Sequence, residues 1–340
     1  MALKWSWAFG TETPTVLEEM GWDFQSLSVG AVSTTQTYTY VGSPARRSMA
    51  MDDAFLANLF RAPTQAWSAQ GWVTAAVYYD SATATSSNTI LSVLGGGSNR
   101  SIYVRMNNAP TNTAALYVDN NFKESFTLLP DRWNYLALQY DMSTATWSGR
   151  VFVDGVAVTA THTDGQSAET TGGLFWGGTT NGQFTYHAQC IAYDDTADSG
   201  ETPYFVTRVD PMADVSVTGV NWTSTAADNH SALESPFDST SYVNDDPTTS
   251  GNDLIVSTTN LATQLGTTPT TVAAVTIHTW ATGSGVNGRT KLSDDNATYT
   301  AGNTITPSVN ATYTYATDTT QPSGGPWTSA SNIFYKYEVI

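Results

Sequence analysis

Apolar and polar residues alternate with a period of two along most of the first half of the chain. The runs GWVTAAVYYD (71–80), TILSVLGGG (89–97), SIYVRMNN (101–108), AALYVDNNF (114–122), RWNYLALQYD (132–141) and GRVFVDGVAV (149–158) carry the pattern, separated by breaks rich in Gly, Asn and Asp. Successive side chains of a strand point to opposite faces, so short alternating runs punctuated by turns predict an antiparallel sandwich or barrel. In RWNYLALQYD both faces are apolar: Leu136, Leu138 and Tyr140 on one, Trp133, Tyr135 and Ala137 on the other. Such a strand is covered on two sides, or its outer face is a binding surface. Asp154-Gly155, between Val151/Val153 and Val156/Val158, predicts a two-residue hairpin turn. LFWGGTTNGQFTYHAQCIAYDD (174–195) supplies two further strands. One short helix is expected over DDAFLANLF (52–60), with Asp52 and Asp53 as its N-cap.

The pattern breaks at DDTADSGETPYFVTRVDPMADVS (194–216), where Asp, Pro and Gly gather. Two domains are therefore expected, over 1–205 and 206–340, and a length of 340 residues suits two cores of ordinary size. Beyond the break, Thr, Ser and Asn dominate, with strand-like runs at TTVAAVTIHTW (270–280) and NIFYKYEVI (332–340). The regular alternation of Ile333, Tyr335, Tyr337 and Val339 with Phe334, Lys336, Glu338 and Ile340 places the last run inside a sheet.

Composition narrows the class. Aromatic residues reach 12%, with 11 Trp and 17 Tyr, and charged residues only 13%, the opposite of a disordered chain. Thr, Ser, Asn and Gly suit β-surfaces and turns better than helices, so the chain reads as all-β. Its 13 basic and 30 acidic residues give a net charge of -17, which opposes direct contact with nucleic acid. No run is long and apolar enough for membrane insertion, and MALKWSWAFG lacks the apolar core of a secretory signal, so a soluble product of a cytoplasm is expected. The five Asn-x-Ser/Thr matches then carry no weight. Cys190 is the lone cysteine, expected as a small buried hydrophobe in a strand.

The Trp-led WNYLAL, followed by VFVDG and its hairpin partner, resembles the central strands of laminin-G-like, concanavalin A-type jelly rolls, and LFWGG and IAYDD look like that family's closing strands. The resemblance covers residues 1–200. The second half resembles tailed-bacteriophage virion proteins in which such a domain precedes a small β-domain. Its landmarks are Asp194-Asp195, Val209-Asp210-Pro211, Asn221-Trp222, Asn229-His230, Tyr242-Val243, Gly251, Asp253-Leu254 and Trp327. These resemblances imply a concanavalin A-like (laminin-G-like) jelly-roll sandwich followed by a second, smaller β-sandwich-like domain. They also imply a non-enzymatic virion surface component, head decoration or tail fibre, whose partners are other virion proteins. An acidic surface relieved by aromatic-rich contacts predicts a homo-oligomer, with a trimer favoured, and a host-surface glycan is a further expected partner. The alternative is a carbohydrate-binding module or a glucanase-like, polysaccharide-active protein.

The glucanase reading needs two glutamates and an aspartate at alternate positions of one strand, flanking one glycosidic bond. No such motif exists, and Glu124, Glu169, Glu201, Glu234 and Glu338 stand alone. His162, His187, His230 and His278 share no zinc-site spacing, and no Gly-x-Ser-x-Gly elbow occurs. GGGSNR (95–100) reads as a hairpin turn rather than a phosphate cradle. The acidic pairs Asp52-Asp53, Asp194-Asp195, Asp245-Asp246 and Asp294-Asp295 suit turns and caps, and calcium is their sharper reading, with Asp194 and Asp195 as the candidate ligands. Trp133 and Tyr135 are assigned to packing. Trp67, Trp147 and Trp176 are the candidates for stacking on a sugar ring, with core or subunit contact as their other role.

Overall fold

A computed structural model describes residues 3–8, 17, 22–25, 32–35, 48–51, 59–61, 67–81, 88–97, 100–106, 112–177, 185–193, 200–204, 206, 211–218, 222–233, 242–244, 252–258, 260, 262–263, 271–283, 286–307, 312–328 and 330–340. Two compact units divide the chain, the first closing at Val206 and the second taking in the chain from Thr207 to Ile340. The first unit contains β1 (Leu3–Ala8), β2 (Asp23–Gln25), β3 (Val32–Thr35), β4 (Ser48–Met51), β5 (Leu59–Arg61), β6 (Gln70–Tyr79), β7 (Asn88–Gly95) and β8 (Ser101–Met106). It continues with β9 (Thr113–Val118), β10 (Asn121–Thr127), β11 (Trp133–Asp141), β12 (Thr146–Val153), β13 (Val156–Ala157), β14 (His162–Gly165), β15 (Thr171–Trp176) and β16 (Thr185–Tyr193).

Among the described residues these strands form two antiparallel sheets. The nine-stranded sheet has the order β13-β12-β11-β6-β16-β4-β3, with β1 added on β16 and β14 on β12. The seven-stranded sheet has the order β10-β9-β8-β7-β15-β5-β2. Neighbours in space are often distant in sequence, as the β11–β6 and β16–β6 pairings show. The sheets stack through their inner faces, where Leu136, Leu138 and Val151 oppose Ile102, Leu116 and Val118, all fully buried. At Gly149 the layers pack so tightly that a Cβ would lie 2.9 Å from Cγ2 of Ile102. Cys190 is buried on β16, and burial pushes its thiol well above the usual range.

The hairpin expected at Asp154-Gly155 joins β12 to β13, with φ of 51° and 83° at the two turn residues, the pair of positive values a primed turn requires. Strand β11 is buried on both faces. Tyr135 and Ala137 on its outer face join Trp72, Phe152, Ile191 and Tyr193 in a second apolar layer, against which Leu3, Tyr204 and Val206 pack. Gly200, Tyr204 and Val206 are held over this layer by hydrogen bonds. The Tyr135 hydroxyl donates to the Gly200 carbonyl at 3.1 Å, and the buried Gln189 side chain donates to the Tyr204 carbonyl (2.5 Å) and accepts from the Val206 amide (2.8 Å). The expected helix over 52–60 is corrected in part. Leu59 and Phe60 belong to β5, paired with β2 and β15, and 52–58 lie outside the described residues. A short apolar run reads equally as helix or strand, and pairing on two sides decides for the strand.

The second unit contains β17 (Ala213–Thr218), β18 (Thr223–Ser224), a turn of helix α1 (Asn229–Ala232), β19 (Val243–Asn244), β20 (Asp253–Ser257), β21 (Val275–Ala281), β22 (Gly288–Ser293), β23 (Asn303–Ile305), β24 (Thr312–Asp318) and β25 (Phe334–Val339). Its five-stranded sheet has the order β17-β20-β25-β22-β23, and β21 and β24 form a separate ribbon. Val275 and Ile277 of the ribbon pack with Leu292, Trp327 and Ile333 into a small core. The Trp327 indole N–H donates to the Asp318 carbonyl at 3.1 Å. The run expected inside a sheet is its central strand, β25. The molecule is all-β, a jelly-roll-type sandwich followed by a smaller two-layered β-domain.

Candidate functional site

The three tryptophans expected to stack on a ligand are packed inside the sandwich, and that expectation is corrected. Trp147 is 0% exposed, at an inward position of β12, and its indole N–H donates to the Ser167 carbonyl at 2.9 Å. Trp176 is also fully buried at the end of β15. Its N–H crosses to the opposite sheet, reaching the Thr74 carbonyl at 2.9 Å, and its ring lies 6.3 Å from that of Trp22. Trp67, 6% exposed, forms an isolated bridge to Thr171. None of the three offers a ring face to solvent. Of the residues assigned to packing, Tyr135 is buried, and Trp133 makes an edge-on contact with Tyr78 at 5.6 Å.

Asp194 and Asp195, the expected calcium ligands, lie outside the described residues, as do Asp52-Asp53 and Asp245-Asp246. Asp294 and Asp295 are described and carry turn chemistry. The amides of Thr298 and Ala297 donate to Asp295 and hold its carboxyl at about 2, and Asp294 accepts from the Ser323 amide at 3.1 Å. Among the described residues no group of three or more His, Cys, Asp or Glu side chains is arranged to hold a metal ion.

An aromatic row on the outer face of the seven-stranded sheet takes the place of the tryptophans. The alternation of SIYVRM sends Ile102, Val104 and Met106 into the core and leaves Tyr103 and Arg105 outward. Register then sets Tyr103 of β8 opposite Tyr117 of β9, and Tyr117 opposite Phe122 of β10. The tyrosine rings are stacked at 4.6 Å and 5°, and Phe122 meets Tyr117 edge-on at 5.9 Å. Phe122 is 57% exposed, the two tyrosines are half-buried, and Arg105 is two residues along the same face. Burial and the neighbouring Tyr117 push the Tyr103 hydroxyl above the usual phenol range, against an opposing pull from Arg105. The row presents apolar ring surface beside two phenolic hydroxyls and a guanidinium, a combination suited to the C–H faces and hydroxyls of a sugar.

At the neighbouring edge the two sheets are joined by charged side chains. Lys123 and Asn121 of β10 bond Asp164 of β14 at 2.7 and 2.9 Å, and His162 Nε2 lies 2.7 Å from Glu124. The bond with His162 and that from the Ala160 amide hold Glu124 below the usual carboxylate range, and Lys123 and Asn121 do the same for Asp164, each against a weaker effect of burial. A general acid needs a carboxyl raised toward neutral pH, and these two are moved the other way. The arrangement acts as a polar latch across the open edge of the sandwich.

No protein-family profile matches the chain, and no curated protein matches it. Solved structures resemble it distantly. Alginate lyase Aly36B shares 6% identity at a TM-score of 0.41, covering 55% of this chain and 96% of its own. Alginate lyase vAL-1 from Chlorella virus shares 11% at 0.35, covering 48% and 89%. Trypanosoma rangeli sialidase shares 12% at 0.32, covering 50% of this chain and only 32% of its own length. At these values nothing about chemistry passes from those proteins to this one, and the architecture rests on its own strand order and packing.

Proposed function

We propose that the protein is a non-enzymatic structural component of a tailed-bacteriophage virion surface, whose sandwich adsorbs to host-surface glycan through the row Tyr103, Tyr117 and Phe122 with Arg105. The observation that carries the binding role is the stacked and partly open row on the seven-stranded sheet, in a sandwich where Trp67, Trp147 and Trp176 are packed away. The virion setting is supported by the order of landmarks along the second half, from Val209-Asp210-Pro211 to Trp327. Assembly as a homo-oligomer, with a trimer favoured, belongs to the same reading. It would multiply a weak site into an avid one.

A glycan array tests the binding role. The wild-type chain is expected to retain a subset of glycans, and Tyr117→Ala and Phe122→Ala to lose them while unfolding at the wild-type temperature. Silence across the array removes the adsorption role and leaves a purely structural component. Mass spectrometry of purified particles tests the setting. Glycan binding by a protein absent from particles would favour a free-standing carbohydrate-binding module.

A further inference from the structure

Among the described residues, Trp72 and Arg150 on the outer face of the nine-stranded sheet each hold a buried hydrogen-bond donor without an acceptor. Register places Arg150 of β12, Gln139 of β11 and Trp72 of β6 in one cross-strand row. Trp72 is 2% exposed, and its Nε1–H has no acceptor among the described residues. The Nε–H of Arg150 is likewise buried without an acceptor. Phe152 connects the two side chains: its ring centroid lies 5.2 Å from that of Trp72, and the Arg150 guanidinium carbon sits 4.9 Å above it.

Arg150 has no ion-pair partner among the described residues, although the chain carries 30 acidic residues against 13 basic ones. A guanidinium resting on an aromatic ring with its Nε edge unused is set up for planar oxygen anions, which it binds through two parallel N–H bonds. The indole N–H adds a third, purely donating group. Among the described residues the row holds Tyr193, Trp72, Gln139 and Arg150, with no carboxylate in it.

We propose that Arg150 and Trp72 form a binding site for an oxyanion group, a carboxylate or sulfate carried by a sugar or small solute. An oxyanion beside Arg150 would neutralise its guanidinium and give its Nε–H an acceptor, with the Trp72 indole N–H as a further donor of the same row. This site lies on the opposite sheet from the aromatic row and does not depend on it. The general field of a molecule with net charge -17 repels anions, so saturable binding of one reports local donors rather than bulk attraction.

Isothermal titration of the full chain with sodium glucuronate, sodium sulfate and glucose tests the site. Glucuronate, sulfate or both should saturate, and glucose should give no heat. Glucuronate alone identifies a carboxylate site, and sulfate as well identifies a general oxyanion site. Arg150→Gln, on a half-exposed position, should weaken anion binding by about tenfold or more, whereas Tyr117→Ala should leave it unchanged. In the wild-type chain, one indole N–H resonance should shift on titration and stay fixed in Arg150→Gln, a readout that needs no substitution in the core. Absence of saturable anion binding, or an Arg150→Gln protein that binds as the wild type does, would overturn the proposal and leave ordered water as the partner of the two donors.

Discussion

The two outer faces of the sandwich are built from the same materials and end in opposite states. On the nine-stranded sheet, Trp72, Tyr135, Phe152 and Tyr193 project outward and are buried, because Gly200, Tyr204 and Val206 return over the layer and are held by Gln189 and Tyr135. On the seven-stranded sheet, Tyr103, Tyr117 and Phe122 project outward and stay partly open. Aromatic content at outward positions therefore does not mark a binding face by itself. What separates the two is whether a later segment carries the backbone groups needed to cover the layer.

Matched substitutions sharpen this contrast. The largest effect is expected from Phe152→Ala. That ring is 9% exposed and packed between Trp72 and Arg150, and its removal should cost about 3 kcal/mol in chemical denaturation, near the lower end for buried aromatics. Next comes Gly200→Val. A Cβ at 200 would lie 2.5 Å from Cγ and Cδ2 of Trp72, so the covering segment must lift, at a cost of about 1–3 kcal/mol and with faster proteolysis there. Gln189→Ala removes both side-chain bonds to the cover and should cost about 1–2 kcal/mol, read in the same denaturation experiment. Phe122→Ala, the open counterpart of Phe152, should fall within about 0.5 kcal/mol of wild type. Comparable losses for Phe152→Ala and Phe122→Ala would break the comparison.

The smallest expected effect is on pH dependence at the latch. Glu124 and Asp164 have folded-state values below their unfolded ones, so their contribution is complete above the ordinary carboxylate range. It is lost as pH falls through the depressed folded values. The urea midpoint of wild type should decline below about pH 4 more steeply than that of Asp164→Asn. Parallel profiles would show that the latch contributes nothing to stability.

Much of the fold was legible because its signals are local. The two-sided strand β11, the Asp154-Gly155 turn and the alternation of β25 each lie within a few consecutive residues. The tryptophan assignments failed for a reason the sequence also contains. Trp147 stands an even number of residues from Val151, so the period that sends Val151 inward sends Trp147 inward too. The aromatic row was not readable. Tyr103 and Tyr117 meet through β8–β9 register set across the connection at 107–112, and the bulge between Phe122 and Glu124 alters the facing of β10. Likewise, nothing in the string pairs Gln189 with Tyr204 and Val206.

The central place of β25 shapes how the second unit assembles on the ribosome. Strands β17 and β20 emerge early and can pair, and β22 and β23 can do so later, but the two pairs share no hydrogen bonds with each other. Until Phe334–Val339 has been synthesised and inserted between them, each half-sheet carries a bare inner edge. Such edges invite pairing with neighbouring nascent chains, so closure by that strand is the step at which a monomer commits to its own sheet.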